Sequence, residues 1–151
     1  MTAIQNSSNI TVFFEKLFND LKCHQDTKAY ITGIFGKYKD VNHDLSQDSL
    51  TLLFCQARET HNFSIYQNIG DWIFFIRSIA PQHLQSASKD YYESLARISY
   101  YTCYRLINKQ WQVFEEMSDQ FPILEKQVKE KLVDLNMNQT SVDNYIVPFG
   151  F

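Results

Sequence analysis

One carboxylate in an apolar part of the sequence is the residue whose surroundings most suggest chemistry. Asp71 follows Gly70 and precedes a run of large apolar residues at 72–76. An unpaired charge buried in such surroundings is very costly, so the side chain must be paired, exposed or protonated. It is either an acid that anchors a ligand or one half of an ion pair between helices. For the ion pair we predict an arginine partner, Arg97 or Arg105, and a loss of stability in Asp71→Ala.

Five tyrosines and two arginines lie on one predicted helix. Arg97 precedes Tyr101 by four positions and Arg105 follows it by four, so the three side chains share one strip of that helix. This group fits either a polar, aromatic pocket for an anionic or planar ligand, or amphipathic rings with their hydroxyls at the surface. The residues predicted to bind a ligand are Asp71, Asp90, Tyr92, Arg97, Tyr101, Tyr104 and Arg105.

The last seven residues form an apolar segment that follows a polar stretch at 136–144. The segment is either a docking peptide for a groove on a partner or a cover for the chain's own core. Soluble proteins seldom leave such a patch in water, so we expect burial in both cases. Pro148 and Gly150 limit helix formation and favour an extended or irregular path. The residues predicted to dock are Tyr145, Ile146, Val147, Phe149 and Phe151.

The common enzyme and metal-site motifs do not occur in the sequence. It contains no Gly-rich phosphate loop, Cys-x-x-Cys, His-Glu-x-x-His or Gly-x-Ser-x-Gly. The four histidines have no metal-ligand spacing to another histidine or to a cysteine. We therefore expect no cofactor, no structural metal and no catalytic residue.

Length and charge restrict the class of protein. A chain of 151 residues fits one domain, and a formal net charge of −3 with scattered basic residues speaks against a nucleic-acid partner. The N-terminus lacks the basic and apolar regions of a signal peptide, and no apolar run approaches the roughly 20 residues of a membrane span. Three widely spaced cysteines are typical of reduced thiols, so we expect a cytoplasmic protein.

The elements that must position these residues are helices. Only four glycines and three prolines are present, which favours long helices with few connections over a β-sandwich. Helical spacing of apolar residues predicts a single all-α domain, a helical bundle of about six or seven helices at 9–135. A flexible N-terminus at 1–8 precedes it, and the polar linker with the apolar C-terminal segment follows at 136–151. The predicted helices cover 10–22, 27–41, 47–60, 63–79, 89–108 and 122–135, and 89–108 continues to 117 in an alternative interpretation.

The ends and faces of these helices carry their own predictions. Asn9 is placed to cap the first helix, and Asp26 is placed to cap the second. Gly33 and Gly36 lie three positions apart on one side of the second helix, where a neighbouring helix could cross closely.

The run at 72–76 has no polar side, so we expect a central helix that is buried all round, with the helix around 92–111 packed directly on it. On the last helix, Glu125 and Lys129 form an i,i+4 pair, which we predict on the solvent side.

A resemblance to a group of small bacterial proteins, known only as hypothetical proteins, is carried by short motifs: Gly70-Asp71, Asp90-Tyr91-Tyr92, Ser99-Tyr100, and Phe114-Glu115 with Phe121. The resemblance spans about residues 29–132. It implies a bacterial, cytoplasmic, helical domain, and it implies no activity, cofactor or partner.

The leading hypothesis is a non-enzymatic helical module for protein interaction or regulation, which binds a protein partner or a second copy of itself in a homodimer. The alternative is a small-molecule binding protein, or an enzyme, with a pocket between helices lined by tyrosine, arginine and aspartate. A pocket of roughly a few hundred Å³ lined by these residues would favour the alternative. A flat, exposed aromatic patch would favour the interaction module.

Overall fold

The computed structural model describes residues 2–38, 47–81 and 89–137, where it has seven α-helices and no β-strand. The predicted all-α class and single helical domain are therefore confirmed for this part of the chain. None of these helices combines the length and the apolar character that crossing a bilayer requires. The seven helices are α1 (Thr2–Leu17), α2 (Gln25–Tyr38), α3 (Gln47–Thr60), α4 (Phe63–Ile79), α5 (Lys89–Leu106), α6 (Gln112–Asp119) and α7 (Phe121–Met137).

The central helix is α4, and α2, α3, α5 and α7 all pack against it. Every residue at 69–76 is buried, so the helix is enclosed on all sides as predicted. Aromatic rings make much of this contact: Phe74 meets Phe121 of α7 at 5.4 Å between centroids, and Phe75 meets Phe35 of α2 at 5.3 Å. The packing of α5 directly on α4 is also confirmed, and it is the most extensive contact between two helices in the described residues.

A two-residue turn joins α3 to α4, and both helices have the predicted bounds. His61 adopts a left-handed conformation with φ 51°, which ends α3. Asn62 then starts α4, because its side-chain oxygen accepts a hydrogen bond from the backbone N–H of Ile65 at 3.2 Å.

The end of α5 differs from the prediction. Asn108 and Lys109 both have positive φ, 57° and 60°, so the helix stops at Leu106. The N–H of Lys109 bonds to the carbonyl of Tyr104 at 2.9 Å and the N–H of Asn108 to that of Arg105 at 3.0 Å, which is a Schellman motif. The interpretation of 89–117 as one continuous helix is wrong, since this turn separates α5 from α6.

Two of the predicted caps are also wrong. The first helix begins at Thr2 rather than at residue 10, so Asn9 lies within it. The second helix begins at Gln25, which places Asp26 in its first turn. A carboxylate there still interacts favourably with the positive end of the helix dipole.

Glu125 lies inside the bundle and not on the predicted solvent side. It is 5% exposed, and its carboxylate binds the guanidinium of Arg77 on α4 through two hydrogen bonds of 2.5 and 3.0 Å. The predicted pair with Lys129 is present at 3.8 Å. The correction follows from the helix face, because Glu125 shares the face of Val128 and Leu132, both buried.

Candidate functional site

Asp71 lies on α4 where α2 and α5 both contact it. The residue is 3% exposed, and its Oδ1 accepts hydrogen bonds from the hydroxyls of Tyr30 on α2 at 2.6 Å and Tyr100 on α5 at 2.8 Å. The prediction that Asp71 pairs with an arginine is wrong, because two phenols supply these hydrogen bonds. Arg97 binds the end of α6 instead, and Arg105 is exposed.

Gly70 makes room for the ring of Tyr100. A Cβ atom at position 70 would lie 2.8 Å from Cε1 and Cζ of that ring, so the ring lies directly against the backbone of α4. This close approach brings the Tyr100 hydroxyl to the carboxylate of Asp71. The close approach predicted at Gly33 and Gly36 does not occur, because no atom of another described helix lies within 4 Å of a Cβ at either position.

Tyr30 is held by a hydrogen bond and by two rings. The Nε2 of Gln67 on α4 donates to its hydroxyl at 3.1 Å. The rings of Trp111 and Phe114 contact it edge-on, at 5.9 and 5.4 Å between centroids. The hydroxyl therefore donates to Asp71 and accepts from Gln67, which fixes the position of its proton.

The second carboxylate oxygen of Asp71, Oδ2, receives no hydrogen bond from the described residues. The Nζ of Lys37 lies 4.0 Å from it, which is beyond hydrogen-bond distance. That Nζ donates to Oδ1 of Asn68 at 3.0 Å, and an ammonium group has three donors. Both Oδ2 and Nζ therefore retain capacity for further hydrogen bonds.

Asp71 and Lys37 line a cleft of about 480 Å³, which we call the Asp71 cleft. The two phenols bind Oδ1, and Oδ2 is the oxygen that lies 4.0 Å from the Lys37 ammonium in this cleft. The volume lies within the range of small-molecule sites, roughly 300–1,000 Å³. The lining residues are Asp26, Ala29, Tyr30, Gly33, Ile34, Lys37, Gln67, Asp71 and Trp111.

Burial controls the protonation of this site. Burial raises the pKa of Asp71 from its ordinary value of 3.8 to about 6, against the opposing effects of the Tyr30 and Tyr100 hydrogen bonds and the Lys37 charge. Burial and the charge of Asp71 also raise the pKa of both phenols, so both stay protonated. The same causes raise the pKa of the Cys103 thiol to about 12. The described site thus offers a carboxylate acceptor and no activated thiolate or phenolate.

Arg97 and Tyr101 line a different cleft, of about 610 Å³. The guanidinium of Arg97 donates to the carbonyl oxygens of Ser118 at 2.8 Å and Asp119 at 3.2 Å, at the end of α6. Its charge therefore stabilises the last turn of α6. Asp71 and Arg97, which the sequence groups together as ligand residues, thus face separate clefts.

The other predicted site residues are divided between core and surface. Tyr92 is buried, Asp90 and Arg105 are exposed, and the half-buried Tyr104 has its ring 6.2 Å from that of Tyr101. The predicted docking residues, Tyr145, Ile146, Val147, Phe149 and Phe151, lie outside the described residues.

The residues of the Asp71 cleft other than Asp71 are absent from the predicted site. In the sequence, Tyr30 belongs to the apolar stripe of α2, and Trp111 belongs to an apolar stripe that follows α5. The sequence does contain a signal for Tyr30. The hydroxyl of a buried tyrosine needs a hydrogen-bond acceptor, and the carboxylate of Asp71 needs a donor. Lys37 and Gln67 carry no comparable signal, since lysine and glutamine are ordinary on a solvent-facing side of a helix.

The geometry of the Asp71 cleft is the basis for proposing a function, because neither a metal-ligand set nor a similar protein provides one. Among residues 2–38, 47–81 and 89–137, no three histidine, cysteine, aspartate or glutamate side chains come together as a metal-ligand set. In comparisons with protein-family models, curated proteins and solved structures, no significant match to this chain was found.

Proposed function

We propose that this chain is a non-enzymatic helical binding module and that it binds a small organic molecule in the Asp71 cleft. The observation that carries the proposal is the oxygen Oδ2 of Asp71, which lies on a 3% exposed residue beside the cleft without a hydrogen bond from the described residues. Oδ2 is not one of the fully buried side-chain oxygens without a partner, which among the described residues are those of Thr27, Ser78 and Ser99. The oxygen is therefore accessible, and a ligand in the cleft can donate a hydrogen bond to it.

Structural contacts of the described residues satisfy Oδ1 of Asp71 with two hydrogen bonds, whereas Oδ2 has a weaker contact, the ammonium of Lys37 at 4.0 Å. The two phenols on Oδ1 join α2, α4 and α5, and a neutral acceptor at position 71 would serve them as well. A neutral acceptor would also avoid the desolvation of a buried charge. The charge and the second oxygen therefore support a role in the cleft.

The residue types of the cleft favour binding over catalysis. No serine, threonine, cysteine or histidine is among its described lining residues. Covalent catalysis needs an activated nucleophile, and the raised pKa of the Tyr30 phenol makes it a poor one.

The interaction-module hypothesis stays a prediction, because its docking residues at 145–151 lie outside the described residues. Ile98, Tyr101 and Leu106 on α5 are exposed. Exposed apolar side chains of this kind are common on ordinary protein surfaces, so they do not by themselves favour a partner.

The test combines a thermal-shift screen of a small-molecule library with native mass spectrometry of protein purified from its own host. Two matched variants locate the binding site: Gly33→Leu and Gly36→Leu, both at positions with open space around Cβ. Gly33 lines the Asp71 cleft and Gly36 does not. We expect ligands that raise the melting temperature of the native and Gly36→Leu proteins but not of Gly33→Leu. Ligands that stabilise all three proteins equally, or no ligand in either experiment, contradict the proposal.

A further inference from the structure

The Asp71 cleft presents two opposite charges side by side, each with unused hydrogen-bond capacity. Oδ2 of Asp71 and Nζ of Lys37 are 4.0 Å apart and do not bond directly. The ammonium is partly exposed, whereas the carboxylate is nearly buried. A ligand with only a positive charge would meet repulsion from Lys37, and a ligand with only a negative charge would meet repulsion from Asp71.

A zwitterion avoids both penalties. We propose that the ligand of the Asp71 cleft is a free α-amino acid with an aromatic or large apolar side chain, an inference that rests on the function proposed above. The ligand's ammonium group donates to Oδ2 of Asp71, and its carboxylate accepts from Nζ of Lys37.

The spacing of the two protein charges fits this arrangement. Charge-assisted N–H···O hydrogen bonds are about 2.7–2.9 Å long. The ammonium and carboxylate of an α-amino acid are joined through only two carbon atoms, so both groups reach a pair of protein charges 4.0 Å apart. The two protein charges and the two ligand charges then form a small ring in which positive and negative groups alternate.

The second acid of the cleft is too far from Lys37 to replace Asp71 in this ring. Asp26 and Lys37 are about three turns apart on α2, or roughly 16 Å at a rise of about 1.5 Å per residue. The carboxylate that pairs with the ligand's ammonium is therefore Asp71.

An apolar wall lies beside the two charges. Trp111 is 40% exposed and its ring contacts the Tyr30 ring edge-on, and Ala29 and Ile34 line the same cleft. Aromatic side chains gain from offset or edge-to-face contacts with such rings. Phenylalanine, whose aromatic side chain carries no polar group, is therefore a suitable probe of this wall.

The experiment is isothermal titration calorimetry with three compounds of the same aromatic body. L-Phenylalanine carries both charges, L-phenylalaninamide keeps only the ammonium, and N-acetyl-L-phenylalanine keeps only the carboxylate. We expect L-phenylalanine to bind about tenfold or more tightly than either analogue, since each loses one charge-assisted hydrogen bond. Equal binding of an analogue overturns the inference.

Two variants test which charged group of the protein binds which charged group of the ligand. Lys37→Met should weaken L-phenylalanine binding about tenfold or more while leaving L-phenylalaninamide binding no weaker. Lys16→Met is the matched control, because Lys16 is an exposed lysine of α1 outside the cleft. Asp71→Asn should lose binding of both ammonium compounds. Unchanged L-phenylalanine binding in Lys37→Met overturns the inference.

The outcomes separate this inference from the proposed function. A library compound with a single charge that binds the native protein, and is lost in Gly33→Leu but retained in Lys37→Met, overturns the zwitterion assignment and leaves the ligand-binding function standing. The absence of any ligand for the cleft overturns both.

Discussion

The sharing of Oδ1 by Tyr30 and Tyr100 explains how a carboxylate is tolerated inside the most apolar helix. The two hydrogen bonds favour the ionised form, whereas burial favours the protonated form. Burial is the larger effect, since the pKa of Asp71 rises to about 6. At neutral pH the ionised acid is therefore held at a cost in free energy, a pattern that proteins show at functional sites.

This pKa gives stability a defined pH dependence. Because the folded pKa of about 6 lies above the ordinary value of 3.8, the folded state binds more protons between these values. The free energy of unfolding should fall by about 2–3 kcal/mol as the pH rises from about 4 to about 7, through this group alone. The groups that face Asp71 are Tyr30, Lys37 and Tyr38 of α2 and Tyr100 and Cys103 of α5. Burial and the charge of Asp71 raise the pKa of the three phenols and of the thiol, so these four groups stay protonated in this window.

Asp71→Asn isolates the effect, since an amide does not titrate there. The free energy of unfolding of this variant minus that of the native protein, measured by urea denaturation, should increase by the same amount over the same pH range. A difference that is constant with pH would show that the carboxylate is not destabilised by burial.

Gly70→Ala tests the close approach of Tyr100 to α4. Alanine in place of glycine favours a helix by about 0.5–1 kcal/mol, but here its Cβ would lie 2.8 Å from a fully buried ring. We expect a net destabilisation of about 1–3 kcal/mol, because the ring has no free space to enter. Gly36→Ala is the control with open space at Cβ, and it should be neutral or slightly stabilising. Equal effects in the two variants would contradict the packing described for Gly70.

For a single residue, the sequence predicts that a buried polar group needs a hydrogen-bond partner, but it does not identify that partner. Asp71 is buried, because its apolar neighbours in the chain determine its environment. Its hydrogen bonds come from Tyr30, 41 positions away, and Tyr100, 29 positions away, and local sequence does not define such contacts. An arginine is the expected partner on charge alone, but a phenol supplies a hydrogen bond without the desolvation of a second charge.

Among the helices, the interiors are predictable and the ends are less so. The bounds of α3 and α4 agree with the prediction because an apolar stripe ends at a turn residue, His61, and a capping residue, Asn62. The start of α1 differs because residues 2–9 are helical without an apolar stripe to mark them. The end of α5 differs because backbone conformation, rather than hydrophobicity, stops the helix at Leu106.

Lys109→Gly tests the turn that separates α5 from α6. A non-glycine residue with φ of 60° is strained, and glycine removes that strain while gaining freedom in the unfolded chain. We expect a net stabilisation of about 0.5–1 kcal/mol in thermal or urea unfolding. The same substitution at Lys126, on the exposed side of α7, should destabilise by about 1 kcal/mol. Destabilisation in Lys109→Gly would contradict the left-handed conformation.

Across the whole molecule, α7 connects the central helix to the start of the bundle. It packs on α4, α5 and α6, and its Glu125 binds Arg77 of α4. Farther along α7, Gln127 accepts a hydrogen bond from the N–H of Lys22, and Lys131 pairs with Asp20. Lys22 and Asp20 both lie in the connection between α1 and α2. Because α7 contacts this many elements of the bundle, we expect the described helices to unfold as one cooperative unit.

The buried ion pair between Arg77 and Glu125 should be the polar contact on which this arrangement depends most. Arg77→Met removes the closer cation beside the buried Glu125 carboxylate, and the partly exposed Lys129, at 3.8 Å, is then its remaining ion-pair partner among the described residues. Removing one partner of a buried pair costs about 3–5 kcal/mol. We expect that loss in urea unfolding for Arg77→Met and a smaller one for Glu125→Met, because the carboxylate of Glu93 still lies 3.8 Å from the Arg77 guanidinium.

The double variant Arg77→Met/Glu125→Met should be more stable than either single variant, because two apolar side chains of similar length then replace both charges and no unpaired charge remains. Lys131→Met, which breaks the exposed pair with Asp20, is the control and should change stability little. If the two single losses simply add in the double variant, Arg77 and Glu125 are not coupled, and apolar packing alone holds α7 against α4.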